Sequence, residues 1–322
     1  VTAAAPASRP SPLRIWILAA RPATLPAALS GVVVGLGAAL SSGAPFRPDT
    51  AVGCVAVALL LQVLANFAND LSDHRRGADT PDRAGPTRVA ASGLVTERQL
   101  EAAIAITIAL AGIVGLYLVW VGGAVLLALG VAAVIAALAY TGGPFPYGYR
   151  ALGEVFVFVF FGLVAVAGTA YLQALELDPL FLVAAIPPGA LITAILVVNN
   201  LRDIPTDTAA GKRTLAVVLG RERTAVEYAV LLGVAYAVPV ALLLARVTGW
   251  VPAGASASWP PAVLIPLLTL PMTLSLLRTV RDFREPRELN LVLKGTARLS
   301  LWFGVLFAIG LALAGIASGG PA

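Results

Sequence analysis

The chain has 322 residues, 59% of them apolar and only 12% charged, with a mean hydropathy of +0.89. So little charge excludes an ordinary water-soluble globule and points to an integral membrane protein. The net charge of +5 implies no nucleic-acid partner, because the basic residues fall where a membrane topology would put them.

Residues 1–13, rich in Ala, Pro and Ser, read as a flexible N-terminal tail, and 14–322 as a single transmembrane domain. Nine apolar spans follow, at about 24–42, 51–69, 100–119, 121–140, 152–174, 180–198, 224–245, 260–277 and 297–317. The first reads as a retained span rather than a cleaved signal, since no clear site of small residues follows it and eight more spans do. With the N-terminus inside, twenty of the 22 Lys and Arg residues lie on the cytoplasmic side, leaving Arg47 and Arg246 outside. The expected fold is therefore all-α, with a cytoplasmic N-terminus in the cell membrane. Cys54 lies within a span and reads as a small buried hydrophobe, so neither a disulfide nor a Cys metal cluster is expected.

The second and sixth spans end in polar clusters, Asn66-Phe67-Ala68-Asn69-Asp70-Leu71-Ser72-Asp73 and Asn199-Asn200-Leu201-Arg202-Asp203-Ile204-Pro205-Thr206-Asp207. An offset of 130 lays Asn69 on Asn199, Asp70 on Asn200 and Asp73 on Asp203, which reads as an internal repeat of two four-helix halves plus a ninth helix. On a helix, Asn66, Asn69, Asp70 and Asp73 share one face and can converge on one ion. In the second cluster Pro205 disfavours helix at Ile204, so Asp207 is expected to reach in from a turn. Oxygen donors without Cys or His suit Mg²⁺ or Mn²⁺ rather than Zn²⁺. Such ions leave coordination positions for phosphate oxygens, and two of them can bridge a diphosphate. Arg75, Arg76, Arg83 and Arg88 follow the first cluster, and Lys212 and Arg213 the second, as candidate phosphate grips.

Three further features leave two readings open. His74 is either a general base or an exposed loop side chain. The run Thr141-Gly142-Gly143-Pro144-Phe145-Pro146-Tyr147 is either a wall of a substrate pocket or a plain turn. Phe156, Phe158, Phe160 and Phe161 line an apolar groove or face lipid.

At these residues the chain resembles the UbiA superfamily of intramembrane aromatic prenyltransferases, and within it the branch that acts on 1,4-dihydroxy-2-naphthoate. The stretches that carry the likeness are Arg21-Pro22-Ala23-Thr24-Leu25-Pro26, the first cluster with Gly77, Asp79 and Arg83 behind it, Tyr140 to Tyr147, and Asn199 through Asp207 to Leu215. Many superfamily members carry an Asp four residues after Asp73, where this chain has Gly77 with Asp79 nearby; the naphthoate branch shares that shift. The resemblance implies two Mg²⁺ ions held by Asn69, Asp70, Asp73, Asn199, Asn200, Asp203 and Asp207, with Asp73 and Asp203 as the central catalytic carboxylates. It also implies a polyprenyl diphosphate gripped by Arg75, Arg83, Arg88, Lys212 and Arg213, with its tail among the membrane lipid. The acceptor is expected among Arg21, Asn66, Tyr140 and Tyr147, with Arg21, Arg150 or Lys294 holding its carboxylate.

The implied reaction joins the prenyl group to the naphthoate with loss of CO₂ and diphosphate, giving demethylmenaquinone on the way to menaquinone. Rival readings are prenylation of another ring, such as 4-hydroxybenzoate or homogentisate, or a membrane transporter built on repeats.

Overall fold

The computed structural model describes residues 10–78, 84–86, 88–248 and 261–317. These form helices α1 (Pro12–Ala20), α2 (Leu25–Ser41), α3 (Pro48–Arg75), α4 (Glu97–Gly122), α5 (Ala124–Ala139), α6 (Gly153–Val157), α7 (Ala165–Ala174), α8 (Pro179–Ala209), α9 (Leu215–Val247), α10 (Leu270–Asp282) and α11 (Leu289–Ala317). A π-helical turn, Phe158–Val164, joins α6 to α7, and a 3₁₀ stretch, Pro261–Thr269, leads into α10. Among the described residues the one β-type pairing is an isolated parallel bridge between Arg150 and Arg213.

Eight helical stretches are long and apolar enough to cross a bilayer. The expected fourth span coincides with α5, whose 16 residues reach only about 24 Å at roughly 1.5 Å per residue, short of a hydrocarbon core about 30 Å thick. The first stretch starts earlier than expected, at Pro12, and is broken at Arg21. Proline disfavours helical backbone in the residue before it, and Arg21 takes a left-handed conformation with φ 52° ahead of Pro22. The corner lets α1 bury Ile15 and Ala19 against Phe67, Leu71 and Leu100 while α2 starts afresh. Pro205, by contrast, does not end α8, which runs on to Ala209 and keeps Asp207 on the helix rather than on a turn. Tertiary packing outweighs the local penalty there, for α8 is the most buried of the spans and α4 the least.

Lipid tails are as apolar as leucine, so these helices associate through close packing and polar contacts rather than by leaving water. A Cβ on Gly37 would stand 2.5 Å from the Ala308 backbone, and one on Gly35 2.6 Å from the Val166 carbonyl. Ser30 adds a hydrogen bond from its Oγ to the Ser300 carbonyl at 2.8 Å. The last helix, α11, is therefore no appendage: it packs along α2 and α8 and closes the bundle. Enlarging Gly37 would force these backbones apart, at roughly 1–3 kcal/mol for an overpacked core.

Candidate active site

The ends of α3 and α8 meet at the polar end of a cavity of about 370 Å³. Asn66, Asn69 and Asp73 reach it from α3, and Asn199, Asn200, Asp203 and Asp207 from α8. Asp70 does not line it. Although helical spacing puts Asp70 beside Asp73, its carboxylate accepts from the backbone amides of Val89 at 3.1 Å and Ala90 at 3.4 Å. It thereby holds the turn that carries Arg88, and its expected place among the metal ligands gives way to that bracing role.

Asp73, 2% exposed, is the hub of the site. Its Oδ2 accepts from Arg88 at 3.1 Å and from the Lys212 ammonium at 3.2 Å, and its Oδ1 from the Tyr149 hydroxyl at 3.0 Å. Lys212 also lies 3.8 Å from Asp207. Asp203 is anchored differently: the buried Arg202 donates from Nε to one carboxylate oxygen at 2.7 Å and from Nη2 to the other at 2.6 Å. The same guanidinium reaches Asn199 at 2.8 Å and Asn290 at 2.9 Å, and Asn290 in turn donates to the Ala84 carbonyl at 2.9 Å.

Among the candidate phosphate grips, Arg75, Arg76 and Arg213 stand outside the cavity lining. Arg75 turns to the outer face, where it pairs with Glu97 at 2.8 Å and with Glu101, and it does not line the cavity. Last-turn position on α3 decides this: Arg75 points toward α4, while Asp73 points inward. Arg213 is exposed and not part of the lining, although its amide donates to the Tyr149 carbonyl. Arg83 and Asp79 lie outside the described residues. Arg21, Arg88 and Lys212 are the cations that line the cavity among the described residues. Arg150 stacks on Phe145, 4.0 Å from the ring centre, and neither it nor Lys294 is in the lining. His74 stands in the last turn of α3 rather than on an exposed loop; it is half-buried, 3.7 Å from Glu97, and not part of the cavity lining.

The segment from Tyr140 to Glu154 reaches both clusters. Thr141 donates to Asn69 Oδ1 at 3.1 Å, Tyr149 to Asp73, and the Asn200 amide donates to Glu154 at 2.9 Å. Arg76 pins the turn from below by donating to the carbonyls of Thr141 and Gly143. Burial, then the charge and hydrogen bond of Asp73, push the Tyr149 phenol above its ordinary range, so it stays a protonated donor. The sequence alone does not single out Tyr149 or Glu154, although both lie within ten residues of the Gly-Gly-Pro turn. Tyr140 and Tyr147 do line the cavity, with their rings edge to face at 5.4 Å.

Below the polar end, Tyr147 stacks on Phe156 at 4.1 Å, and Phe156 on Phe160 at 6.3 Å, forming an aromatic column along one wall. Phe161 joins the lining, whereas Phe158 turns away and packs on Gly189. The cavity then runs on among Val57, Leu118, Leu126, Leu129 and Leu172. Cys54 and Asp73 both line it, 19 residues apart on α3, so it extends about 28 Å along that helix at roughly 1.5 Å per residue. One end gathers oxygens and cations; the remainder takes something long and apolar.

The sequence profile of the UbiA prenyltransferase family matches residues 28–291. The 1,4-dihydroxy-2-naphthoate octaprenyltransferase of Mycobacterium tuberculosis is 42% identical over 299 residues, covering 92% of this chain and 96% of that protein. The protein of the same name from Escherichia coli is 37% identical, covering 92% and 95%. In three dimensions the chain is similar to a UbiA homolog from Archaeoglobus fulgidus solved with GPP and Mg²⁺, at TM-score 0.64 and 15% identity over 93% of this chain and 99% of that one. It is similar too to the apo UbiA homolog from Aeropyrum pernix K1, at TM-score 0.64 and 18% identity over 89% and 97%. At such identities the two solved structures speak for the fold alone.

Proposed function

The chain belongs to the UbiA prenyltransferase family, and from that premise we propose that it transfers a polyprenyl group from polyprenyl diphosphate to 1,4-dihydroxy-2-naphthoate, releasing diphosphate and CO₂ and forming demethylmenaquinone. The observation that carries this reading is the two-part cavity, with carboxylates, amides, Arg88 and Lys212 at one end and an apolar passage behind the aromatic column. The donor set fits a hard divalent cation, because oxygens of Asn69, Asp73, Asn199, Asn200, Asp203 and Asp207 gather at the polar end, where among the described residues no His joins them and Cys54 lies about 28 Å away along α3. Two Mg²⁺ ions, one for each cluster, are the proposed complement. Bound Mg²⁺ supplies neutralisation of the charge that builds on the departing diphosphate.

The protein's own groups do the rest. Arg88 and Lys212, which share one oxygen of Asp73, grip the diphosphate. The column of Tyr147, Phe156 and Phe160 keeps water from the allylic carbon as its bond to oxygen breaks and the electron pair leaves with diphosphate. Arg21, at the corner before Pro22, holds the naphthoate carboxylate. The ring carbon bearing that carboxylate attacks, and loss of CO₂ returns the bonding electrons to the ring. No strong protein base is required, which accords with the outward placement of His74.

The proposal includes nine spans with α5 as the fourth, 14–322 as one transmembrane domain, and the site on the cytoplasmic face of the cell membrane. Incubation of the purified protein with a polyprenyl diphosphate, Mg²⁺ and either 1,4-dihydroxy-2-naphthoate or 4-hydroxybenzoate tests it, with product and CO₂ followed by mass spectrometry. Product and CO₂ from the naphthoate alone are expected, with a loss of about 10³-fold in Asp73→Ala or Asp203→Ala, the upper end for removing one preorganised stabilising group. Turnover of the benzoate alone would overturn the acceptor; Mg²⁺-independent turnover would overturn the metal site.

A further inference from the structure

Glu154 stands in the first turn of α6, at the start of a membrane-crossing stretch, and is only 7% exposed. Burying a carboxylate in such a place is costly unless it is compensated. Its Oε1 accepts from Asn200 Nδ2 at 2.9 Å, and its Oε2 is buried without a hydrogen bond. So expensive a side chain spends its visible contact on one amide, and that amide lines the polar end of the cavity.

An asparagine amide has two faces, an oxygen that accepts and an NH₂ that donates, and it can turn to offer either one. An ionised carboxylate only accepts. A carboxylate behind Asn200 therefore draws the NH₂ toward itself and leaves Oδ1 as the end presented to the cavity. Two other asparagines of the clusters are arranged in the opposite sense, Asn199 Oδ1 accepting from Arg202 and Asn69 Oδ1 from Thr141, while Asn66 uses both ends: its NH₂ donates to the Ala20 carbonyl at 2.9 Å and to Thr24 at 3.1 Å, and its Oδ1 accepts from Gln62 at 3.4 Å. Asn200 is the one of the four whose hydrogen bonding engages the NH₂ and not the oxygen.

We propose that Glu154 is a positioning residue that fixes the polarity of Asn200, turning its amide oxygen toward a divalent cation bound between the clusters. The inference rests on the metal reading of the site and adds to it a residue outside both clusters. Partners of this kind orient metal-ligating groups and typically change metal affinity 10–100-fold when removed.

The test uses the full chain in detergent, with Mn²⁺ as the probe, titrated by electron paramagnetic resonance in the presence of inorganic pyrophosphate. Glu154→Leu, close in volume but unable to accept, should weaken Mn²⁺ binding about 10–100-fold. Glu154→Gln, which can either accept or donate, should fall between it and the wild type. In the double variant Glu154→Gln with Asn200→Asp the direction of the hydrogen bond is reversed: the new amide donates to the new carboxylate, whose other oxygen faces the cavity. It should bind Mn²⁺ more tightly than Glu154→Gln alone. A purely structural role for Glu154 would lower the unfolding temperature without this recovery. Unchanged affinity in Glu154→Gln and Glu154→Leu, or a double variant no better than Glu154→Gln, overturns the proposal; should Glu154→Leu not fold, the Gln and double variants decide it. Failure of the wild type to bind Mn²⁺ overturns the metal site itself and this inference with it.

Discussion

The carboxylates at the ends of α3 and α8 fall at matching positions of two similar sequence clusters 130 residues apart, yet they are held in place by different means. Asp73 is fixed from a distance, by Arg88, Tyr149 and Lys212, which lie 15, 76 and 139 residues away. Asp203 is fixed by its immediate neighbour, Arg202, which grips both of its oxygens. The first site is assembled when loops from several elements close on α3; the second is already paired within its own helix, deep in the bundle. A charge in the most buried span needs a partner that travels with it, whereas Asp73 can take partners that also face a ligand. Equal donor residues thus do not imply equal surroundings. Asp70 braces a turn while its counterpart Asn200 meets Glu154, and Asp207 is matched by Gly77, which takes φ 65° just beyond the end of α3.

This contrast can be broken at either site. Arg202→Met should have the largest effect, because it strands the Asp203 charge in a buried place: about 3–5 kcal/mol of stability, seen as a lower unfolding midpoint in detergent. An unchanged midpoint would mean that Asp203 does not depend on its neighbour. Lys212→Ala or Arg88→Ala should leave the fold largely intact and lower kcat/KM for the prenyl diphosphate. The loss is about 10–100-fold, since a hydrogen bond to a charged group contributes about 1.5–3 kcal/mol. A rise confined to KM for the aromatic acceptor would reassign both cations. Arg75→Ala should do least, shifting stability by no more than about 1 kcal/mol with unchanged kinetics, as expected of an exposed ion pair. A kinetic defect there would return Arg75 to the list of phosphate grips.

Much of this was legible from the residues alone, for definite reasons. Apolar runs about 20 residues long name the helices, and polar side chains that end two of them name the place where chemistry sits. What stayed hidden depends on contacts across the bundle. Helical spacing groups Asp70 with Asp73, but only the fold of the turn at Val89 and Ala90 shows which way Asp70 is used. Arg75 and Arg76 are adjacent in the chain and diverge in space, one toward Glu97, the other beneath the Gly-Gly-Pro turn. Pro205 reads locally as a helix end, and burial of α8 overrides it. Tyr149 carries no signature in its own neighbourhood; its importance comes from a hydrogen bond to a residue 76 positions away.

Phe156, Phe160, Val164, Gly168 and Leu172 all line the cavity, at a strict interval of four. On a regular α-helix every fourth residue drifts by about 40°, so a row of five sweeps through roughly 160° and cannot keep to one wall. The π-helical turn at Phe158–Val164 rotates less per residue and takes up part of that drift, keeping the row in register. Length in this stretch is consequently a functional quantity: deleting one residue would leave a more regular helix, yet it would swing Gly168 and Leu172 away from the space that Phe156 faces.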